Sequence, residues 1–218
     1  MVQFQREVLK REDELLPMFI EDTKNSGYTY SIGNDRFIFE FVVLEYGFAF
    51  WQWQYTNCSQ IPETTASNEV LFEHLKKGSS FSYFSDQDIT ANLPFVYQAY
   101  SEMGYYGYDI SDFKDLLKEV KEPSSKIFLP KYMNPDFDCC IMQKINTWIQ
   151  KHGNNMIFIY GEIDAWSATA VELTGETNSL KMIKNGGNHR TRINSFNETD
   201  RVIIIDTLKK WLDYQISK

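Results

Sequence analysis

The stretch from residue 156 to 193, MIFIYGEIDAWSATAVELTGETNSLKMIKNGGNHRTRI, constrains the fold more than any other part of the chain. It opens on five apolar residues, 156–160, rich in β-branched and aromatic types. So short a run, closed at once by Gly161, reads as a buried strand. An acidic turn follows, Glu162-Ile163-Asp164. A second strand-like run, 180–183, leads into Asn185-Gly186-Gly187-Asn188-His189. An aspartate and a histidine therefore each sit just past the carboxyl end of a strand, the edge where open α/β sheets build their sites.

That pair suggests a definite chemistry. A histidine acting as general base needs its far ring nitrogen held by a carboxylate, which fixes the tautomer and stabilises the imidazolium. Where a nucleophile comes first in the chain, the acid second and the histidine last, Asp164 and His189 fill the second and third places. The same spacing also suits an Asp164 that caps a turn and a His189 that caps a helix.

Four separated motifs carry a family likeness: Tyr160-Gly161-Glu162-Ile163-Asp164-Ala165-Trp166-Ser167-Ala168-Thr169, Gly187-Asn188-His189-Arg190-Thr191-Arg192-Ile193, Phe48-Ala49-Phe50-Trp51-Gln52-Trp53 and Gly104-Tyr105-Tyr106-Gly107-Tyr108. Together they resemble the prolyl tri/tetrapeptidyl aminopeptidases, serine peptidases of α/β-hydrolase fold. Lysosomal Pro-X carboxypeptidases and dipeptidyl peptidases are more distant cousins. The resemblance implies Asp164 as triad acid, His189 as triad base, a peptide substrate with a free amino terminus, no cofactor and no metal. It also implies a secreted or periplasmic parent. Ala165 departs from the Asp-Pro-Trp form that the resemblance leads one to expect.

The larger departure is the nucleophile. Such peptidases place a serine on a G-x-S-x-G elbow between strand and helix, and the sequence contains no G-x-S-x-G. The nearest imitation is Thr29-Tyr30-Ser31-Ile32-Gly33, which follows polar, turn-like residues 22–27 rather than a strand. The expectation is a partial α/β-hydrolase. Residues 1–130 form a mostly helical cap, and 131–218 form the C-terminal segment of the hydrolase domain, with the serine-bearing half missing. Such a chain is expected to be inactive alone and to partner that half. The alternatives are a non-catalytic peptide- or protein-binding module and a self-sufficient hydrolase using Ser31.

Composition narrows the classes. Net charge is −8 and pI about 5.0, which speaks against nucleic-acid binding. The first residues lack the apolar core of a signal peptide, and no stretch reaches the ~18 apolar residues of a membrane span. There is no CxxC or HExxH spacing for zinc and no phosphate-cradling glycine loop. Cys58, Cys139 and Cys140 make an odd count, which leaves a Cys58 bridge, a bridge to another segment or three thiols all open. Unpaired sheet edges make a homodimer a reasonable expectation.

Periodicity places the remaining elements. Residues 1–24 read as a helix that Pro17 kinks or divides. Residues 36–53 are apolar nearly all round, a buried helix, in which Gly47 suggests close packing. Glu45 in that helix is either a structural pair or the acceptor of a peptide amino terminus, with Trp51 and Trp53 as pocket walls; Glu40 is the poorer candidate. Ser67 caps a helix over 68–77 that carries His74 on its surface. Residues 89–103 are helical around Pro94, and a tyrosine-rich zone follows that is either core or a wall stacking on proline-containing peptides. Phe113, Leu116, Leu117 and Val120 predict a helix capped by Ser111. Asn134-Pro135 opens another helix, with Phe137, Ile141, Ile145, Trp148 and Ile149 as its buried stripe. His152 suits the end of that helix, where the dipole accounts for it without a catalytic role. A last helix turns Ile204, Leu208, Trp211 and Leu212 inward.

Overall fold

The computed structural model describes residues 1–55 and 57–212. It is mixed α/β and mostly helical, with one two-stranded parallel sheet. The chain forms two compact units: Met1–Phe50 with Gln54–Cys139, and Trp51–Trp53 with the described residues from Cys140 on.

The first unit is helical. α1 (Val2–Lys10) and α2 (Glu12–Asn25) break at Arg11, six residues before Pro17. The ring of a proline displaces the carbonyl four residues earlier. Here that carbonyl belongs to Asp13 in the first turn of α2, and α2 continues as helix through Pro17, so the division at Arg11 lies outside the proline's reach. Phe4 and Val8 of α1 and Leu15 and Phe19 of α2 are buried against α3 (Asp35–Trp53) and its neighbours. α3 starts at Asn34, whose side chain accepts from the Phe37 amide at 2.8 Å. It is buried at every position from Ile38 to Tyr46, as an all-round apolar pattern requires. Gly47 is not tightly packed: a Cβ there would meet only the Met1 methyl, at 3.6 Å.

α4 (Asn68–Gly78) is capped by Ser67 as the sequence suggests. His74, expected at the surface, is 8% exposed, and its Nε2 lies 2.8 Å from the Tyr46 hydroxyl. Gly78 makes room for the Tyr46 ring, so the glycine that stops the helix also seats this buried pair. Burial holds the imidazole below its ordinary pKa, with nearby Lys77 adding to the effect. α5 (Asp86–Gln98) runs on through Pro94 into a π-helical turn, Ala99–Met103, that ends at Gly104 with φ +79°.

The helix expected after Ser111 does not form. Residues 111–116 are isolated turns, although Phe113, Leu117 and Val120 are buried as its inner face would be. The reason is Glu40. Its carboxylate, fully buried, accepts from the amides of Lys118 at 2.6 Å, Glu119 at 3.0 Å and Val120 at 2.6 Å. In a helix those amides would go to carbonyls four residues back. A carboxylate is the stronger acceptor, and a buried charge must be satisfied.

The second unit holds α6 (Cys139–His152), β1 (Ile157–Gly161), β2 (Leu180–Lys184) and α7 (Glu198–Leu212). α6 begins at Cys139, four residues past Pro135, because the Asp138 amide is taken by the Ser101 carbonyl at 2.8 Å. The predicted buried stripe is open: Ile145 and Trp148 are 44% and 51% exposed, and Phe137 lies outside the helix at 53%. No residue of α6 is buried, and among the described residues no layer of the second unit covers its apolar side. β1 and β2 pair in parallel, Ile157 with Leu180 through Gly161 with Lys184. Their crossover contains a 3-10 turn, Ala165–Thr169, and otherwise no helix. It is laced to the end of α6 by Gln150, which donates to the Glu172 carbonyl at 2.8 Å and accepts from the Thr174 amide at 2.9 Å. α7 is capped by Asn197, which accepts from the Asp200 amide at 2.9 Å, and it buries Ile204.

Candidate active site

The parallel pairing of β1 and β2 sends both strands out at one edge, and the residues after each meet there. Asp164 follows β1 by three residues. Its Oδ2 lies 2.7 Å from Nδ1 of His189, which follows β2 by five. The acid is 8% exposed at its side chain and the histidine 40%. A buried carboxylate thus holds one ring nitrogen of an imidazole that solvent still reaches.

Local structure fixes each partner. Asp164 caps the 3-10 turn, its Oδ1 accepting from the Trp166 amide at 3.1 Å, so turn-capping and histidine-holding use different oxygens of one carboxylate. The loop 185–189 is drawn over the end of β1. The Ile163 amide donates to the Gly187 carbonyl at 2.9 Å, and Glu162 Oε2 accepts from the Gly186 amide at 2.7 Å. Gly161 permits this approach, since a Cβ there would lie 2.5 Å from the carbonyl oxygens of both Gly187 and Asn188. Gly186, at φ +62°, supplies the left-handed step of the turn.

The last turn of α3 belongs to this unit and completes the site. The His189 amide donates to the Gln52 carbonyl at 2.9 Å, and Asn188 Nδ2 donates to the Trp53 carbonyl at 3.0 Å. The Trp53 ring stands edge-on to the His189 ring, centroids 5.1 Å apart, and Arg190 lies over Trp53 at 5.9 Å. An imidazole held by a carboxylate on one nitrogen and by an indole against its ring has a fixed tautomer and a fixed plane, which is what a general base requires.

Glu45 lies in the first unit, 5% exposed, where its Oε2 accepts from the hydroxyls of Tyr108 at 2.7 Å and Tyr106 at 3.1 Å. Burial pushes its carboxyl up to about 7, against the pull of those two phenols. Trp51 is 37% exposed. Ser31 is exposed, donates to Asp86 Oδ1 at 2.6 Å, and sits between α2 and α3 with no strand before it. All three cysteines are exposed, and among the described residues no group of three His, Cys, Asp or Glu side chains is placed to hold a metal ion.

Residues 1–214 match the family model of PS-10 peptidase S37. The chain belongs to that family. It is 26% identical over 212 residues to the prolyl tri/tetrapeptidyl aminopeptidase of Streptomyces mobaraensis, a match covering 95% of this chain and 44% of that relative. This S37 chain therefore spans less than half the length of the curated relative it matches. No solved structure matches it significantly.

Within this S37 chain, sequence reasoning missed three supporting residues. Gly161 was read only as a strand end, Glu162 as part of an acidic turn, and Asn188 as loop. The signal was present in part, since a glycine closing a strand beside a Gly-Gly loop suggests two backbones in close approach.

Proposed function

We propose that this chain carries the acid and base of a serine peptidase that acts on peptides with a free amino terminus, Asp164 holding His189 as general base. The single observation that supports this most is the 2.7 Å contact between Asp164 and His189 at the carboxyl edge of a parallel sheet. In this reading the second unit is the C-terminal part of an α/β-hydrolase domain and the helical first unit is its cap.

The nucleophile is not among these residues. A G-x-S-x-G elbow is absent from the sequence, and Ser31 has no strand before it, its hydroxyl being committed to the Asp86 carboxylate at 2.6 Å. His189 would take the proton of a serine supplied by a further polypeptide segment through Nε2 and return it to the leaving amine. Asp164 would stay ionised throughout. Trp53 would form one wall of the site.

The test is hydrolysis of a tripeptidyl amide with a free amino terminus. The chain alone should be inactive. Combined with a polypeptide that supplies a G-x-S-x-G segment it should turn over, and His189→Ala should abolish the activity. Turnover that survives His189→Ala overturns the assignment. A second reading, a non-catalytic peptide-binding module, rests on the missing elbow; peptide binding without turnover in the combined system would favour it.

A further inference from the structure

The first unit contains a cavity of about 550 Å³ walled by Tyr100, Tyr105, Tyr106, Pro123 and Phe137, with two charged side chains also in its lining: Glu122, and Lys121, whose ammonium donates to the Leu117 carbonyl at 3.2 Å. It is a built feature. The Tyr105 and Tyr106 rings meet edge to face, centroids 4.9 Å apart. Gly104 turns the chain at φ +79°, and a Cβ there would sit 3.4 Å from the Phe137 ring. Gly107 lets the Pro123 carbonyl come so close that a Cβ would stand 3.0 Å from it, and that carbonyl accepts from the Tyr108 amide at 3.0 Å.

Behind the wall lies Glu45. Tyr106 lines the cavity and also donates its hydroxyl proton to Glu45 Oε2, as Tyr108 does from the interior. The groups that face this carboxylate are the phenols of Tyr83, Tyr105, Tyr106 and Tyr108. Among the described residues no Lys, Arg or His pairs with it. Burying a carboxylate without a cation is costly. Among the described residues of the first unit the other buried carboxylates are arranged differently: Glu12 has Arg36 and Lys118, and Glu40 has three backbone amides.

The two observations fit one ligand chemistry. A phenol that donates to a carboxylate shifts electron density toward its ring, and the ring face then attracts cations more strongly. The carboxylate itself acts across a short, poorly screened distance. We propose that this cavity binds an organic cation, an alkylammonium group seated against the faces of Tyr100, Tyr105 and Tyr106, with Glu45 as its countercharge behind Tyr106. The proposal is independent of the Asp164–His189 reading, and its test needs no turnover.

The test compares choline with its uncharged isostere 3,3-dimethylbutan-1-ol, each titrated into the intact chain and followed by calorimetry and by ring-proton shifts. Choline should bind roughly tenfold or more tightly than the isostere. Glu45→Gln should bring choline down to the isostere's level while leaving the isostere unchanged. Tyr106→Phe keeps the ring but removes its link to the carboxylate, and it should weaken choline in the same direction. The four phenols are all held above their ordinary pKa and stay neutral from pH 6 to 8. Choline affinity should therefore rise over that range as Glu45 ionises. Equal binding of the two probes, or choline binding unchanged in both variants, overturns the proposal. Binding of N-acetylproline amide in place of choline would make the cavity an apolar ring pocket and would equally overturn it.

Discussion

A side chain at Gly161 would put its Cβ 2.5 Å from the carbonyl oxygen of Asn188, the residue before His189. The catalytic geometry proposed for this chain thus depends on a missing methyl group. Gly161→Ala must push the loop away or displace β1, and overpacking of this kind costs about 1–3 kcal/mol. The expected result is a lower unfolding midpoint together with loss of the proton resonance of the His189–Asp164 hydrogen bond. Retention of that resonance at wild-type intensity would count against Gly161 as the residue that seats the loop.

Glu40 ties α3 to a segment nearly eighty residues away. Glu40→Ala would leave the amides of Lys118, Glu119 and Val120 without their acceptor. The Val120 contact is buried and the other two are part-buried; an unsatisfied buried donor costs about 1–3 kcal/mol, so a loss of about 2–4 kcal/mol is expected in urea unfolding, with hydrogen exchange at 118–120 rising first. A surface-like loss of about 0.5 kcal/mol would mean that the clamp is not intact in solution.

Glu45 gives a pH signature of unusual sign. Its folded-state value, about 7, lies above the ordinary 4.5. Between those values the folded chain binds more protons than the unfolded chain, so stability falls as pH rises through the window. The contribution is fully present below about pH 4.5 and gone above about 7. Glu45→Gln should raise stability at pH 8 by about 1–3 kcal/mol and change little at pH 5. Matched urea titrations of both proteins at the two pH values read this directly.

Gly47 sits in mid-helix, where a Cβ would make one ordinary contact, with the Met1 methyl at 3.6 Å. Gly47→Ala should stabilise the chain by about 0.5–1 kcal/mol through helix propensity and a less flexible unfolded state. Thermal unfolding checks it, and a destabilised variant would mean that α3 is packed more tightly there than described.

Local pattern made much of this legible. The all-round apolar run of α3, the cap at Ser67, and the strands with an acid and a histidine beyond them follow from short-range physics. What stayed hidden depends on contacts far apart in the chain. The 111–120 segment has a helical apolar stripe, yet Glu40 captures its amides from another helix. His74 lies on a short polar-looking helix, yet Tyr46 needs its ring. Trp53 was read from its place on α3, and its contact with the His189 ring joins residues far apart in the chain. The apolar row on α6 was expected to be buried, because periodicity reports which side of a helix is apolar and not whether anything covers it.

The crossover between β1 and β2 bears on how tolerant this arrangement is. Strand direction, not crossover length, decides which two loops share an edge, and lengthening a flexible connection costs only about 0.6 kcal/mol per doubling. Gly175, at φ +86° with open space around it, marks the tip of that connection. A reporter peptide or a long graft spliced there would leave the imidazole and its carboxylate where they are, which makes Gly175 a natural handle for engineering this chain.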